Sequence, residues 1–182
     1  MHRRELLKTA LLLPLLSACS RSGASQNTNS IASPTQEANA SMSFPPLSKS
    51  KAEWKEILEP DRYKILFEEA TERPRSSPLD KVYDDGTYVC AACKLPLFSS
   101  EDKFDSGTGW PSFTKPMIEE NIGKTTDYKL IYPRTEYHCA RCGGHQGHVF
   151  KDGPKPRGQR WCNNGLALNF IAKGDELPEL VS

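Results

Sequence analysis

The sequence predicts a mainly β domain, with antiparallel sheets in a sandwich-like or barrel-like arrangement and short helices at its N-terminal edge. Three observations support this fold class. From residue 79 onward, short apolar stretches alternate with Gly, Pro, Asp and Asn, the pattern of strands separated by turns. These stretches follow one another too closely for crossover helices, so neighbouring strands should pair antiparallel. No stretch in this region has the periodicity of a long amphipathic helix.

Two short helices are predicted in the segment KAEWKEILEPDRYKILFEEAT, residues 51–71. Apolar residues recur at helical spacing on both sides of Pro60, which separates the two helices. These apolar residues are Trp54, Ile57, Leu58, Tyr63, Leu66 and Phe67. Helices with one apolar face should pack over a sheet.

Six apolar stretches after residue 79 are the predicted strands. They are TYVC, KLIYP, TEYHC, HVF, RWCNN and LALNF, at residues 87–90, 129–133, 135–139, 148–150, 160–164 and 166–170. The tripeptides DDG at 84–86 and CGG at 142–144 are turn signals between strands.

Residues 1–19, MHRRELLKTALLLPLLSAC, have the basic start, the short apolar run and the small residues of an export signal. The box LSAC is similar to that of bacterial lipoproteins, which predicts lipid on Cys19. The run RRELLK resembles a twin-arginine signal, which exports folded proteins. The alternative is an ordinary amphipathic helix at the N-terminus. The sequence therefore predicts an exported lipoprotein, anchored to a membrane and facing the periplasm or the cell exterior.

Residues 20–48 are rich in Ser, Asn, Thr, Ala, Gln and Pro and are predicted to be a flexible tether. The folded domain is predicted at 49–182. The whole chain has 24 Lys and Arg against 23 Asp and Glu. A nucleic-acid-binding module usually has a clear basic excess, so the sequence argues against a nucleic-acid partner.

Four of the six cysteines form two C-x-x-C pairs, Cys90 with Cys93 and Cys139 with Cys142. Each pair ends a predicted strand and runs into a turn. Two such knuckles can present four thiolates to one tetrahedral zinc ion, a structural site because no position stays open for substrate. The sequence therefore predicts one structural Zn²⁺ per chain. Disulfides remain the alternative, since exported proteins can form them.

Two further stretches are candidates for chemistry. The segment HCARCGGHQGHVF places His145 and His148 beside the second knuckle, and a histidine can exchange a proton near neutral pH. The segment FDSGTGWPSF offers Trp110 and Phe113 from a glycine-rich loop. These two aromatic residues are predicted to form a wall for an apolar or sulfur-bearing ligand, although such a loop can also simply plug the core.

The motifs SGTGWPSF, CARCGGHQGHVF and RWCNNGLALNF, in this order and together with the two knuckles, resemble those of methionine sulfoxide reductase B. The resemblance runs from about residue 51 to residue 170. It implies an enzyme with a mainly β fold and structural zinc that reduces the R epimer of methionine sulfoxide, free or within proteins. Each sulfoxide epimer has its own enzyme.

The resemblance also implies roles for individual residues. Cys162 matches the catalytic cysteine, whose thiolate attacks the sulfoxide sulfur and becomes a sulfenic acid. His148 and His145 match the residues that hold and protonate the sulfoxide oxygen, and Asn164 matches a polar residue beside them. Trp110 matches the ring that packs against the substrate's S-methyl group.

The chain departs from the family pattern at two positions. Many members have a cysteine where this chain has Thr108, and that cysteine resolves the sulfenic acid as a disulfide. Its absence implies an external thiol reductant, either a small thiol or a thioredoxin-like protein. Gly165 stands in place of the usual serine. Two other functions stay open on the residues alone: a zinc-ribbon binding module without catalysis, and a thiol–disulfide oxidoreductase using one C-x-x-C pair.

Overall fold

A computed structural model of the chain describes Phe44 and residues 47–182. The predicted export signal, Cys19 and most of the predicted tether lie outside these residues. Phe44 and Leu47, at the end of the predicted tether, pack against the hydrophobic core. Within the described part of the chain, the helices are too short or too polar to traverse a bilayer.

Two α-helices open the described domain, as predicted. Helix α1 spans Lys51–Ile57 and begins with a capping box, in which Ser50 and Glu53 each bond to the other's backbone N–H. Helix α2 spans Pro60–Glu68, with the proline at its first turn, where no backbone donor is needed. Both helices bury one apolar face.

Among the described residues, nine strands form two antiparallel sheets, which confirms the predicted fold class. In chain order they are β1 Gly86–Cys90, β2 Pro96–Ser99, β3 Lys103–Phe104, β4 Ser112–Phe113, β5 Ile122–Asp127, β6 Arg134–Cys139, β7 His145–Phe150, β8 Arg160–Asn163 and β9 Leu168–Ala172. The smaller sheet has the order β2-β1-β9, and the larger has the order β3-β4-β8-β7-β6-β5. Four short 3-10 helices cover Pro78–Asp80, Ser100–Asp102, Glu119–Asn121 and Gly165–Ala167.

A cluster of aromatic side chains fills the space between the two sheets. Phe98 of the smaller sheet stacks on Phe113 of the larger one, with ring centroids 4.3 Å apart, and Tyr137 meets the edge of Trp161 at 5.0 Å. All four side chains are fully buried. Truncating one such ring to alanine typically lowers the free energy of unfolding by about 3–5 kcal/mol.

The prediction of a strand at 129–133 was wrong. The strand lies earlier, at Ile122–Asp127, and residues 128–133 form the loop of the β5–β6 hairpin. Strand β5 is at the edge of the larger sheet and is mostly exposed, so its sequence IGKTTD has little apolar character. The apolar side chains of the following loop point into solvent instead.

Candidate active site

The four knuckle cysteines form one compact sulfur cluster. Their ligand atoms all lie within 4.8 Å of one another. The Sγ atoms of Cys90 and Cys142 are 3.7 Å apart, and those of Cys93 and Cys139 are 3.5 Å apart. None of these cysteines forms a disulfide. Four sulfur ligands at this spacing fit a tetrahedral metal ion, which would neutralise thiolates that otherwise repel one another.

The two knuckles reach this geometry through the same turn. Lys94 and Gly143, each directly after the second cysteine of its pair, have left-handed φ values of 67° and 72°. Their backbone N–H groups donate to the carbonyls of Cys90 and Cys139 at 3.0 and 2.9 Å. A left-handed residue at this point reverses the chain, so that both cysteines of a pair face the same ion.

A separate cavity of about 130 Å³ gathers most of the predicted catalytic residues. It is lined by Thr71, Trp110, Arg134, Gly147, His148, Phe150, Cys162, Asn163 and Asn164. A larger depression, of about 290 Å³, lies beside β1 and β9, but its lining contains no cysteine or histidine. The chemistry of the lining therefore identifies the smaller cavity as the candidate active site.

Two of the predicted site residues do not line this cavity. Phe113 is fully buried in the aromatic core. It pairs with Trp161 across β4 and β8, whereas its neighbour Ser112 pairs with Cys162. Side chains alternate along a strand, so Phe113 and the cysteine side of the sheet face opposite ways. His145 lies behind His148, with the two ring centroids 5.5 Å apart.

A β-bulge explains why two histidines three residues apart lie on the same side. His138 pairs with His145, but Tyr137 pairs with Gly147, so β7 contains one extra residue at Gln146. A bulge shifts the alternation of side chains by one. Without it, His145 and His148 would point to opposite faces of the sheet.

Cys162 lies on β8 directly opposite His148 of β7. Its thiol is half-buried, and this burial raises its pKa above the usual value. The positive charge of Arg160 and hydrogen bonds from Arg160 and Thr108 oppose that rise. The site thus holds a shielded thiol together with groups that stabilise its thiolate.

Arg160 is a site residue that the sequence analysis missed. It precedes Cys162 by two residues on the same strand, so both side chains lie on one face. Its guanidinium donates two hydrogen bonds of 2.9 Å to the carboxylate of Asp152 and lies 4.3 Å from the ring centroid of Phe150. Only 7% of Arg160 is exposed. These contacts hold the guanidinium in place beside the nucleophile.

Both histidines have a carboxylate partner, and neither partner was predicted. His148 Nε2 lies 2.8 Å from Asp127 Oδ2, and Arg134 pairs with the same carboxylate. The backbone N–H of Lys129, together with His148 and Arg134, holds the pKa of Asp127 well below its usual range, so Asp127 is ionised. Burial lowers the pKa of His148, although Asp127 opposes this shift.

His145 is held in a similar way, but deeper in the protein. Its Nδ1 lies 2.7 Å from Glu136, which also contacts His138 and Thr125. Burial acts to raise the pKa of Glu136, but these hydrogen bonds outweigh it and leave the pKa well below its usual range. His145 therefore packs behind His148 rather than lining the cavity.

The buried residue Glu72 supports the opposite wall of the cavity. Its carbonyl accepts from Trp110 Nε1 at 3.2 Å, and its N–H donates to Asn164 Oδ1 at 3.1 Å. Its carboxylate accepts from the backbone N–H groups of Gly165 and Leu166 at 2.7 and 2.9 Å. Burial raises the pKa of Glu72 despite these bonds. One residue thus fixes both the indole and the loop after the nucleophile.

The two departures from the family motifs have local explanations. The Thr108 hydroxyl bonds to that of Ser106 at 2.8 Å, and Ser106 bonds to Ser112 at 2.8 Å. A Cβ on Gly165 would come within 2.0 Å of the Ser77 hydroxyl, so a larger residue could not enter without a shift. Ser77 occupies the space that a side chain at 165 would need.

Comparisons with known proteins show what the chain is similar to. The SelR domain model matches residues 58–172. The chain is 48% identical over 124 residues to the peptide methionine sulfoxide reductase MsrB of Leptospira interrogans, which covers 68% of this chain and 95% of the relative. The MsrB of Bradyrhizobium diazoefficiens is 49% identical over 125 residues, 69% of this chain and 90% of the relative. That of Methanosarcina mazei is 45% identical over 129 residues, with coverage of 71% and 92%.

Proposed function

Since the chain belongs to the methionine sulfoxide reductase B family, we propose that its cavity is the active site and that Cys162 is the nucleophile. The chain is an enzyme that reduces methionine-R-sulfoxide. One observation carries the assignment of residues. Cys162 and His148 face each other across two paired strands, inside a cavity that Trp110 closes with an aromatic ring.

The Cys162 thiolate attacks the sulfur atom of the sulfoxide. The oxygen takes up one proton and moves from that sulfur to the Cys162 sulfur, and the bond between the two sulfur atoms that the attack formed breaks. Cys162 is left as a sulfenic acid and methionine is released. The cysteine sulfur is oxidised by two electrons while the sulfoxide sulfur is reduced by two. Arg160 and Thr108 support the thiolate that starts this step.

His148 is the proposed acid. Its Nε2 is held by the ionised Asp127, and its Nδ1 has no hydrogen-bond partner among the described residues. Burial lowers the pKa of His148 and so makes its imidazolium a stronger acid, while Asp127 offsets part of this shift. The imidazolium donates a proton to the sulfoxide oxygen as negative charge develops there. Trp110 offers its ring to the S-methyl group of the substrate, and His145 and Asn164 act as positioning residues.

An external thiol completes the cycle. Two thiol groups reduce the sulfenic acid to the Cys162 thiol, forming a disulfide and water. The described cysteines other than Cys162 all belong to the sulfur cluster. We therefore propose a small thiol or a thioredoxin-like protein as the reductant, in agreement with Thr108 in place of a resolving cysteine.

We propose zinc as the metal of the sulfur cluster, in a structural role. Cys90, Cys93, Cys139 and Cys142 would all be ligands, and four thiolates are a donor set that zinc prefers. The metal would tie the end of β1 to the end of β6, which are far apart in the sequence.

We also propose that the enzyme is exported and anchored to a membrane through lipid on Cys19. The basic start, the apolar run and the LSAC box support this proposal. Mass spectrometry of the mature chain should show acylated Cys19 as its first residue. An unmodified Cys19 in the mature protein would contradict the anchor.

The activity is tested with the two separated epimers of methionine sulfoxide and dithiothreitol as reductant. The wild-type enzyme should consume the R epimer only. Cys162→Ser should lose at least about a thousandfold in kcat/KM, because it removes the nucleophile. Metal content and circular dichroism of the variant should match the wild type. Full activity of Cys162→Ser, or turnover of the S epimer, would contradict the proposed function.

A further inference from the structure

The loop of the β5–β6 hairpin, residues 128–133, presents an unusual apolar surface. Among the described residues, eight large hydrophobic side chains are exposed, and four of them lie in this loop. They are Tyr128, Leu130, Ile131 and Tyr132, with exposed fractions of 76%, 48%, 105% and 63%. Contiguous exposed apolar groups of this kind usually mark an interaction site.

The two ends of this loop adjoin the catalytic cavity. Asp127 and Arg134, which flank the loop, form the last register pair of the hairpin. Arg134 lines the cavity, and Asp127 holds the proposed acid His148. The apolar surface therefore begins one residue away from Asp127, which holds the proposed acid, and two residues away from Arg134, which lines the cavity.

The loop is also held at its base. The N–H of Lys129 donates to Asp127 Oδ1 at 2.8 Å, and its ammonium group pairs with Glu69, just beyond α2. The single basic side chain of the loop is thus tied back to the domain. The apolar side chains are left as the outward face of the loop.

A methionine sulfoxide within a polypeptide must bring its neighbours across the rim of the cavity. In an extended chain each residue advances by about 3.3 Å, so residues two or three positions away pass over groups adjacent to the cavity. We propose that the loop 128–133 is a subsite for apolar side chains flanking the oxidised methionine in an unfolded or locally unfolded protein. This inference rests on the proposed function and names the substrate class of the same site.

The chemistry of the loop favours this occupant. Methionine is mostly a core residue, so its sequence neighbours include apolar side chains that become accessible when the protein opens. Aromatic and aliphatic groups on the loop match such a segment. The continuity of the loop with the cavity wall would let one extended chain occupy both.

The test compares three substrates carrying R-sulfoxide: a peptide with Leu and Phe flanks, the same peptide with Gly and Ser flanks, and N-acetylmethionine sulfoxide amide. The double variant Ile131→Ser/Tyr132→Ser should lose about tenfold in kcat/KM for the apolar peptide, equivalent to about 1.4 kcal/mol. Its kcat/KM for the small amide should stay within twofold of the wild type. Ile57→Ser is the matched control, because Ile57 is 58% exposed on α1 and does not line the cavity.

Several results would overturn the proposal. An unchanged preference for the apolar peptide would show that the loop is not a subsite. An equal loss for all three substrates would show that the loop acts only through Asp127 and Arg134. If the variant alters binding to phosphatidylcholine vesicles or the sedimentation coefficient, with peptide kinetics unchanged, the surface contacts a membrane or a second copy instead. Failure of the wild type to reduce even the small amide would count against the proposed function, not against the loop.

Discussion

The sulfur cluster and the catalytic cavity use cysteine in opposite ways. In the cluster, four sulfur atoms lie within 4.8 Å of one another and three of the cysteines are buried, an arrangement that suits a shared metal ion. In the cavity, Cys162 is alone and half-buried, with an arginine, a hydroxyl and an imidazole around it. The first arrangement makes thiolates inert, whereas the second keeps one thiolate available.

One buried side chain connects the two regions. Gln146, the extra residue of the β7 bulge, donates through Nε2 to Cys90 Sγ at 3.6 Å. Its Oε1 accepts from Asn163 at 3.4 Å, and its carbonyl accepts from the backbone N–H of Asn164 at 2.8 Å. The sulfur cluster therefore helps to fix strand β7, from which His145 and His148 project. The cluster thus supplies rigidity, and the cavity supplies reactivity.

The largest expected effect is loss of the fold when the cluster is broken. Cys93→Ser should bind less than one tenth of the wild-type zinc and lose cooperative thermal unfolding. The binding free energy of a structural zinc can reach about 10–16 kcal/mol, which is comparable to the entire stability of a domain. Metal analysis and calorimetry measure both quantities.

Cys162→Ser is the matched control, because it makes the same atomic change in the other region. It should keep one zinc per chain and a Tm close to that of the wild type. A Cys93→Ser protein that is metal-free, folded and active would break the division of roles between the two regions.

The sequence could predict the cluster because the geometry of each half is local. Each C-x-x-C pair and the turn after it lie within five residues, and the spacing alone indicates the metal. The two helices on either side of Pro60 could be predicted for the same reason, because their apolar spacing lies within one short segment. The motifs also identified Cys162, His148, Asn164 and Trp110, which the structure brings to one cavity.

The parts that the sequence could not predict depend on contacts between distant segments. The Arg160–Asp152 ion pair depends on how the loop after β7 folds back onto β8, and Glu72 reaches Gly165 across 93 positions. The bulge at Gln146 changes which residues share a face. Phe113 was assigned to the site from its motif, but its position on β4 turns it into the core.

The next largest effect concerns the charge beside the nucleophile. Arg160 opposes the rise in the Cys162 pKa that burial causes, so Arg160→Met should raise that pKa further. At pH 7 the thiolate fraction should fall by about tenfold for each pKa unit. Alkylation of Cys162 by iodoacetamide, followed by mass spectrometry across pH, measures this directly. The loss should be greatest near pH 7 and should disappear above the raised pKa.

Asp152→Asn is the control that separates the effect of the Arg160 charge from the structural effect of its ion pair. It breaks the same ion pair, but the Asp152 charge raises the pKa of Cys162, so its removal should not move the alkylation profile to higher pH. If both variants lose reactivity equally at every pH, Arg160 has a structural role only, and the contrast between the two kinds of thiolate is weaker than we propose.

The smallest effect concerns the hydroxyl group next to Cys162. Thr108 donates a hydrogen bond that lowers the Cys162 pKa, and its hydroxyl is held by Ser106. Thr108→Val keeps the shape of the side chain and removes this donor, so the pKa of Cys162 should rise. Reduction of the sulfoxide in a single turnover at pH 7 should slow by about three- to tenfold, since one hydrogen bond typically contributes about 0.5–1.5 kcal/mol. Thr108→Ser should retain the wild-type rate, because it keeps the hydroxyl.

A quench-flow measurement of methionine release, with excess sulfoxide and no reductant, isolates this first half-reaction from thiol regeneration. Equal rates for Thr108→Val and Thr108→Ser would show that Arg160 stabilises the Cys162 thiolate without help from the hydroxyl. Each region would then rely on one cation, the metal ion in the cluster and the guanidinium in the cavity.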